Sequence, residues 1–411
     1  MFDENKISTL FCGDKMLNNY KKEYQTNYEK SSSLKIERVS NGIVHPLQLS
    51  EVGKVENNEF GGVTDEKLNF IDLSLTKRVS RSNLKTNFHD WYKGANIDCH
   101  VSDIDYINED VVFLGALSKH YGHFILEGLS RLWFCLEPEN ISYKCVYISG
   151  DGEDRFNDFF KLFGLKEENI IKIRKPTRFR TVIVPEQSIR LHDFFHKKYK
   201  ETIDRIKNNI KPAKFKKVYF SKVRVKNNRA VGEGLIEKVF LKNGFNVFCP
   251  ETLSMYEAVS ILKGCKVFAA TSATNIHNSI FMNDENTFIC LNRSAHFHPI
   301  QTMIEEMRNL KGIYVDVFIF SSDRNFGDAP CLLAPTKYLL DFFKTYDFTF
   351  NKYKLYLKFP LYVCSFIVAI PQSFIYERIY SVFLKMKSSK YNIVRFIATW
   401  IKILVLFIKK K

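Results

Sequence analysis

The sequence predicts an α/β protein of two doubly wound units in series, ending in a basic, apolar tail. Three observations predict it. Short apolar runs alternate with stretches of helical period on both sides of a break at Lys211-Pro212. The 411 residues, 45% apolar and 15% aromatic, suffice for two packed cores and exclude a disordered or fibrous chain. Finally, the net charge of +16 is unevenly spread.

Residues 1–90 are polar, with Ser31-Ser32-Ser33, Gly61-Gly62 and short alternating stretches such as Ile71 to Leu75, and read as a loosely built region with a few strands. The first regular unit, 91–210, places strands at 111–117, 145–148, 170–173 and 181–184. Helical patterns fall at 120–136, 155–163 and 192–210. The second unit, 211–325, is more clearly punctuated, with strands expected at 218–221, 245–248, 266–270, 287–291 and 313–318. Helices at 232–241, 254–262, 273–282 and 299–310 separate them, as in a parallel doubly wound sheet. Two such units face each other across a cleft, and ligands of such sheets sit at the carboxyl ends of the strands.

The tail, 326–411, is rich in Phe, Tyr, Leu and Lys. From residue 351 onward it holds twelve Lys/Arg against the single acid Glu377, a net +11 that leaves only +5 for the preceding 350 residues. Charge collected in an aromatic-rich tail, with no nucleic-acid motif beside it, fits anionic lipid headgroups rather than nucleic acid. The apolar stretch 359–370 is short and bracketed by Pro360 and Pro371, and 393–408 contains Arg395 and Lys402. Both fall short of a spanning helix of about 20 apolar residues, so the expectation is amphipathic helices lying in the interface plane. Packing of these helices against the globular units is the alternative.

The nine cysteines are scattered and never form C-x-x-C, which points to a reducing compartment without structural zinc. The first residues lack a basic n-region and an apolar h-region, so the chain is expected to stay in the cytoplasm.

Three segments can carry chemistry. In the first, His120, His123 and Glu127 fall on one face of a helix that follows a strand end. A histidine beside a carboxylate suits a general base for a hydroxyl; the same spacing also suits a structural set in which Glu127 bridges to Arg131 at i+4. In the second, Ser221 and Lys222 open a loop holding Arg224, Lys226 and Arg229 ahead of Gly232-Glu233-Gly234. Cations before a helix start are a common diphosphate receptor, although a basic loop by itself is more often simply solvated. In the third, the strand ending at Ala270 opens into Thr271, Ser272 and Thr274, then Asn275 to Phe281; Ser272 or Thr274 can cap a helix whose free amides receive an anion, or merely cap it.

Together these segments resemble the bacterial capsule-type branch of glycosyltransferase family 61, from roughly Gly115 to Phe281. The likeness rests on Gly122-His123-Phe124-Ile125-Leu126-Glu127 with Leu129 and Arg131-Leu132, and on Ser221-Lys222 with Arg229 and Gly232-Glu233. It continues through the stretch from Gly244-Phe245 over Pro250-Glu251 and Ser254 to Glu257, and ends at His277-Asn278 with Phe281. Lys222 stands where the family usually has Arg, Gly232 where it has Asn, and Ser272 where eukaryotic members carry His.

The resemblance implies a GT-B-like fold, an acceptor site in the first unit and a nucleotide-sugar site in the second. It implies inverting transfer to a growing surface or capsular polysaccharide, or to a lipid-linked glycan. His123 or Glu127, with His120 beside them, would be the base. Ser221, Lys222, Arg229, Glu233, Ser272, Thr274, His277 and Asn278 would hold the donor, with Glu251 or Glu257 on its ribose. No cofactor beyond the nucleotide-sugar substrate is expected, and no metal; Asp103-Ile104-Asp105 is the sole D-x-D that would argue otherwise. The expected place is the inner face of the cell membrane, with other capsule assembly proteins as further partners. A non-catalytic glycan-binding scaffold and a phosphosugar transferase are the rival readings.

Overall fold

The computed structural model describes residues 9–24, 26–49, 59–79, 88–90, 92–93, 104–150, 157–225, 230–272, 274–295, 297, 299–321 and 331–366. Arg229, Asp103 and the tail beyond 366 lie outside these residues. The fold is α/β, with a mainly parallel sheet in each half and helices packed between and around them.

In the first sheet four parallel strands run in the order Ile170–Lys172, Lys144–Ser149, Asp105–Leu117, Thr177–Pro185. Numbered along the chain this order is 3-2-1-4, so the direction of winding reverses between the first and fourth strands. The exposed to half-buried start, Asp105 to Asp110, gives way to the wholly buried run Val111 to Leu117, because only the second half of this long strand is covered on both faces. Ile36–Ser40 and Ile43–Leu49 pair antiparallel with Thr177–Pro185, and Glu59–Thr64 extends the sheet from Ile43–Leu49. The polar N-terminal stretch thus supplies strands to the sheet itself.

The second sheet runs Thr9–Phe11, Lys311–Asp316, Thr287–Asn292, Val267–Thr271, Lys217–Phe220, Asn246–Phe248, all parallel. Apart from the first strand, which comes from the far end of the chain, this is the order 5-4-3-1-2. Its switch point lies between Lys217–Phe220 and Val267–Thr271. Helix Glu233–Lys242 starts after Gly232, whose φ of +102° and 2.1 Å approach of a would-be Cβ to the Leu333 carbonyl admit only glycine. Helix Met255–Gly264 is started by a capping box of Ser254 and Glu257.

One apolar core runs through both halves, from Val112, Leu114 and Phe160 of the first to Phe220, Phe268 and Phe288 of the second. Phe159 and Phe281 stack across it with centroids 5.7 Å apart. The two units are therefore joined by a shared interior rather than parted by a cleft along their whole contact. A second core, under helix Glu233–Lys242, is completed by Cys331, Leu333, Leu339, Phe342, Phe343 and Leu355. Residues 331–355, grouped with the tail on composition, thus pack into the second unit.

Several helical expectations are corrected. The stretch 120–136 is an α-turn at Tyr121–His123, a π-turn at Phe124–Gly128 and a 3₁₀ turn at Leu132–Leu136. The pattern at 192–210 opens with a hairpin of Ile189–Arg190 and Phe194–Phe195, and the helix begins only at Lys197, where His196 Nδ1 caps the Lys198 amide. Between Thr274 and Phe281 a four-residue α-turn passes into a 3₁₀ turn. Apolar periodicity cannot separate these tight turns from a regular helix. A helix covers 352–366 with Pro360 inside it, not at its edge. No helix among the described residues is long and apolar enough to cross a membrane.

Candidate active site

The strand Asp105–Leu117 ends at the switch point of the first sheet, and the next turn carries His120 to Glu127. His123 Nδ1 lies 2.8 Å from Glu127 Oε2, while Arg78 Nε stands 3.3 Å from Glu127 Oε1. Glu127 is buried and the His123 side chain is 26% exposed, so the carboxylate is internal and the imidazole reaches the surface. A carboxylate on Nδ1 fixes the tautomer that leaves the basic lone pair on Nε2. The exposed His120 ring stands 5.2 Å from that of His123.

Arg131 does not bridge to Glu127. Its guanidinium, 1% exposed at the residue level, donates to the carbonyls of Pro185, Leu73, Ser74 and Leu75. It ties the loop before the site to the end of the fourth strand, and burial pushes its pKa down to about 10. Gly115 leaves it room, since a Cβ there would come within 2.7 Å of Arg131 Nη1.

At the second sheet's switch point, Asn275 Nδ2 donates to the Phe220 carbonyl across 3.3 Å, tying together the loops that follow its two central strands. Ser221 Oγ donates to Glu237 Oε2 at 2.5 Å and accepts from the Val223 amide. Glu233 is buried, accepting from the Lys222 amide and the Tyr219 hydroxyl, both at 3.1 Å; burial raises its pKa. Burial lowers the pKa of Lys222, and the charge of Arg293 lowers it further. Ser272 Oγ accepts from the Arg293 amide at 3.0 Å.

The two switch points meet. The Tyr121 hydroxyl donates to Asn278 Oδ1 at 2.6 Å, and a Cβ on Gly122 would come within 2.9 Å of Thr274 Cγ2. Segments about 150 residues apart in sequence thus touch, with His123 directly after the contact on one side and Thr274 and Asn278 within it on the other.

Other expected residues have different employment. Glu257 is exposed, its carboxylate taken by the Ser254 amide and hydroxyl of the capping box. Glu251 is exposed and accepts from Cys249 Sγ at 3.4 Å. His277 is buried, with Nδ1 3.2 Å from Gln301 Oε1. Asp105 pairs with Lys175 at the amino end of its strand. At ~3.3 Å per residue over a strand of 13 residues, this is roughly 40 Å from the site. Among the described residues no three His, Cys, Asp or Glu side chains gather to hold a metal ion.

Sequence reasoning missed Arg78, Tyr121 and Arg293. Arg78 lies in a stretch without a pattern, and Tyr121 reads as one more aromatic. Arg293 directly follows the strand Thr287–Asn292, so the strand-end rule that picked out Lys222 would have found it.

Doubly wound sheets take their ligands beside their switch points, where these two turns lie. More particularly, the model of the family described as Glycosyltransferase 61 matches residues 121–290, a span that starts at Tyr121 and covers both meeting segments. Over that span the chain is similar to this family of sugar-transferring enzymes. No curated protein matches the chain.

Proposed function

We propose that the chain is an inverting, metal-independent glycosyltransferase with a GT-B-like arrangement, moving a sugar from a nucleotide-sugar donor to a surface or capsular glycan. The observation that carries this reading is the contact of Tyr121 and Gly122, which directly precede the His123–Glu127 pair, with Asn278 and Thr274 at the second switch point. An acceptor hydroxyl gives its proton to His123 Nε2, which is oriented by Glu127, itself held by Arg78. The oxygen attacks the anomeric carbon opposite the nucleotide, and the bond to the leaving phosphate breaks. Negative charge growing on that phosphate is met by Lys222 and by the amides that open the Thr274 turn. Arg229 would act with them.

Peripheral attachment to the inner face of an anionic membrane is part of the same reading. Helix 352–366 supports it: Leu355 and Phe366 pack inward, whereas Tyr353, Leu357 and Leu361, at successive i+4 positions, are 79%, 77% and 69% exposed. Lys354 and Lys358 follow this stripe along one side, the layout of an interfacial helix.

The test is product analysis with a panel of nucleotide sugars and a lipid-linked or oligosaccharide acceptor. Release of nucleoside diphosphate together with a product of opposite anomeric configuration is expected. A nucleoside monophosphate leaving group would indicate phosphosugar transfer instead, absence of turnover with every donor a binding scaffold, and loss in chelator restored by manganese a metal-dependent enzyme.

A further inference from the structure

Buried cations in a folded protein are normally matched by acceptors, because a guanidinium taken out of water without partners costs several kcal/mol. Part-buried Arg293 breaks this rule at its Nε. Its backbone amide is used by Ser272, but among the described residues its side chain makes no hydrogen bond or ion pair, and Nε is fully shielded from solvent. Lys222, a second cation, lies within electrostatic reach and is part-buried. Two carboxylates, Glu233 and Glu251, lie within electrostatic reach of Lys222; Glu233 accepts from the Lys222 amide and the Tyr219 hydroxyl and is shifted by burial towards its neutral form. Lys222 thus has charged neighbours in Glu233 and Glu251, whereas the Arg293 guanidinium has a shielded Nε without an acceptor among the described residues.

The place of this unmatched nitrogen gives it a purpose. Arg293 follows the strand Thr287–Asn292 and Lys222 the strand Lys217–Phe220, flanking on both sides the loop that follows Val267–Thr271. The orphaned guanidinium therefore sits at the carboxyl edge beside the switch point, where such sheets take their ligands. We infer that Arg293 and Lys222 form an anion receptor for the donor's diphosphate, with Arg293 supplying the planar fork that Lys222 lacks. The inference rests on the transferase reading for the identity of the anion, and assigns Arg293 a binding role that sequence resemblance does not give it.

The experiment measures calorimetric binding of UDP, GDP, CMP and inorganic pyrophosphate to the full chain and to Arg293→Met and Arg293→Lys. The expected result is that the native chain binds a nucleoside diphosphate, that Arg293→Met weakens it at least tenfold, and that Arg293→Lys recovers part of the loss. Thermal unfolding without ligand separates function from scaffolding. An orphan kept for a ligand gives a Met variant as stable as the native chain or more so, while a structural arginine gives a less stable one. Unchanged diphosphate affinity in Arg293→Met, or no binding of any of these anions to the native chain, would overturn the inference. Diphosphate binding that depends on Arg293 without sugar transfer to any acceptor would uphold it and sink the transferase reading instead.

Discussion

The Tyr121 hydroxyl and the Asn278 amide oxygen, 2.6 Å apart, join the first turn after one sheet to the turn after the centre of the other. This bond and the Gly122–Thr274 contact beside it set the distance between the proposed base and the proposed donor site.

That contact has no slack. Gly122→Ala puts a methyl group against Thr274 Cγ2, and Thr274→Ser removes the methyl it meets. Gly122→Ala alone is expected to lower kcat/KM at least tenfold with a thermal midpoint within a few degrees of native, and the double variant to regain most of it. A double-mutant cycle on kcat/KM checks the coupling; additive effects would show that the two residues do not touch in solution.

The His123–Glu127 pair predicts unequal losses. A positioned general base contributes about 10²- to 10⁴-fold, so His123→Ala should lose that much in kcat with KM little changed. Glu127→Gln, which keeps a hydrogen-bond acceptor near Nδ1, should lose less. Steady-state kinetics decide it, and full turnover in His123→Ala would remove the residue from the mechanism.

Lys222 should give the donor site an alkaline limit. Its folded pKa is lowered by burial and by Arg293, so its charge is lost as pH rises before an ordinary lysine, near about 10.4, would lose it. kcat/KM is therefore expected to fall on the alkaline side below that value. Lys222→Arg, which keeps its charge throughout, should move this limb upward; an unchanged profile would mean that Lys222 does not titrate in the free enzyme.

His45 predicts an acid weakness outside the site. Burial pushes its pKa down to about 4, with Nε2 2.9 Å from Thr64 Oγ1 inside the first sheet. The unfolded chain takes up this proton near pH 6.5 and the folded chain only near 4, so stability falls as pH drops through that window. The loss amounts to about 3 kcal/mol at ~1.4 kcal/mol per pH unit. Denaturant titrations from pH 7 to 4 should show this slope in the native chain and a smaller one in His45→Gln.

The exposed stripe of helix 352–366 is tested by co-sedimentation with phosphatidylserine vesicles. Replacing Tyr353, Leu357 and Leu361 together with Ser is expected to reduce binding several-fold while leaving the thermal midpoint unchanged. A stripe that instead pairs two copies of the chain would show as a dimer lost in the variant without any vesicles present.

The second unit was readable almost strand by strand, because Gly, Pro and Ser-Glu caps such as Ser254 and Glu257 punctuate it. Its strand order could not be read, since nothing local in Lys217–Phe220 says that Val267–Thr271 lies on one side and Asn246–Phe248 on the other. The pairing of His123 with Glu127 was legible as i,i+4 spacing even though the regular helix expected there is a pair of tight turns. Arg78 was not legible: it acts through a fold contact with a residue 49 positions away, and no period in its own neighbourhood marks it. Glu257 shows the converse, a residue that fits a motif but whose carboxylate is occupied in starting a helix.

The edge strand Thr9–Phe11 closes the second sheet by pairing with Ile313 to Val315, and the Gly13 amide binds Asp316. During synthesis that edge has no partner until some 300 further residues have emerged, so the opening segment must wait, exposed, for the sheet it completes. Contacts of such long range form late. A protease added to stalled nascent chains should therefore trim this segment from every intermediate in which Asp316 has not yet left the ribosome and spare it only in longer ones.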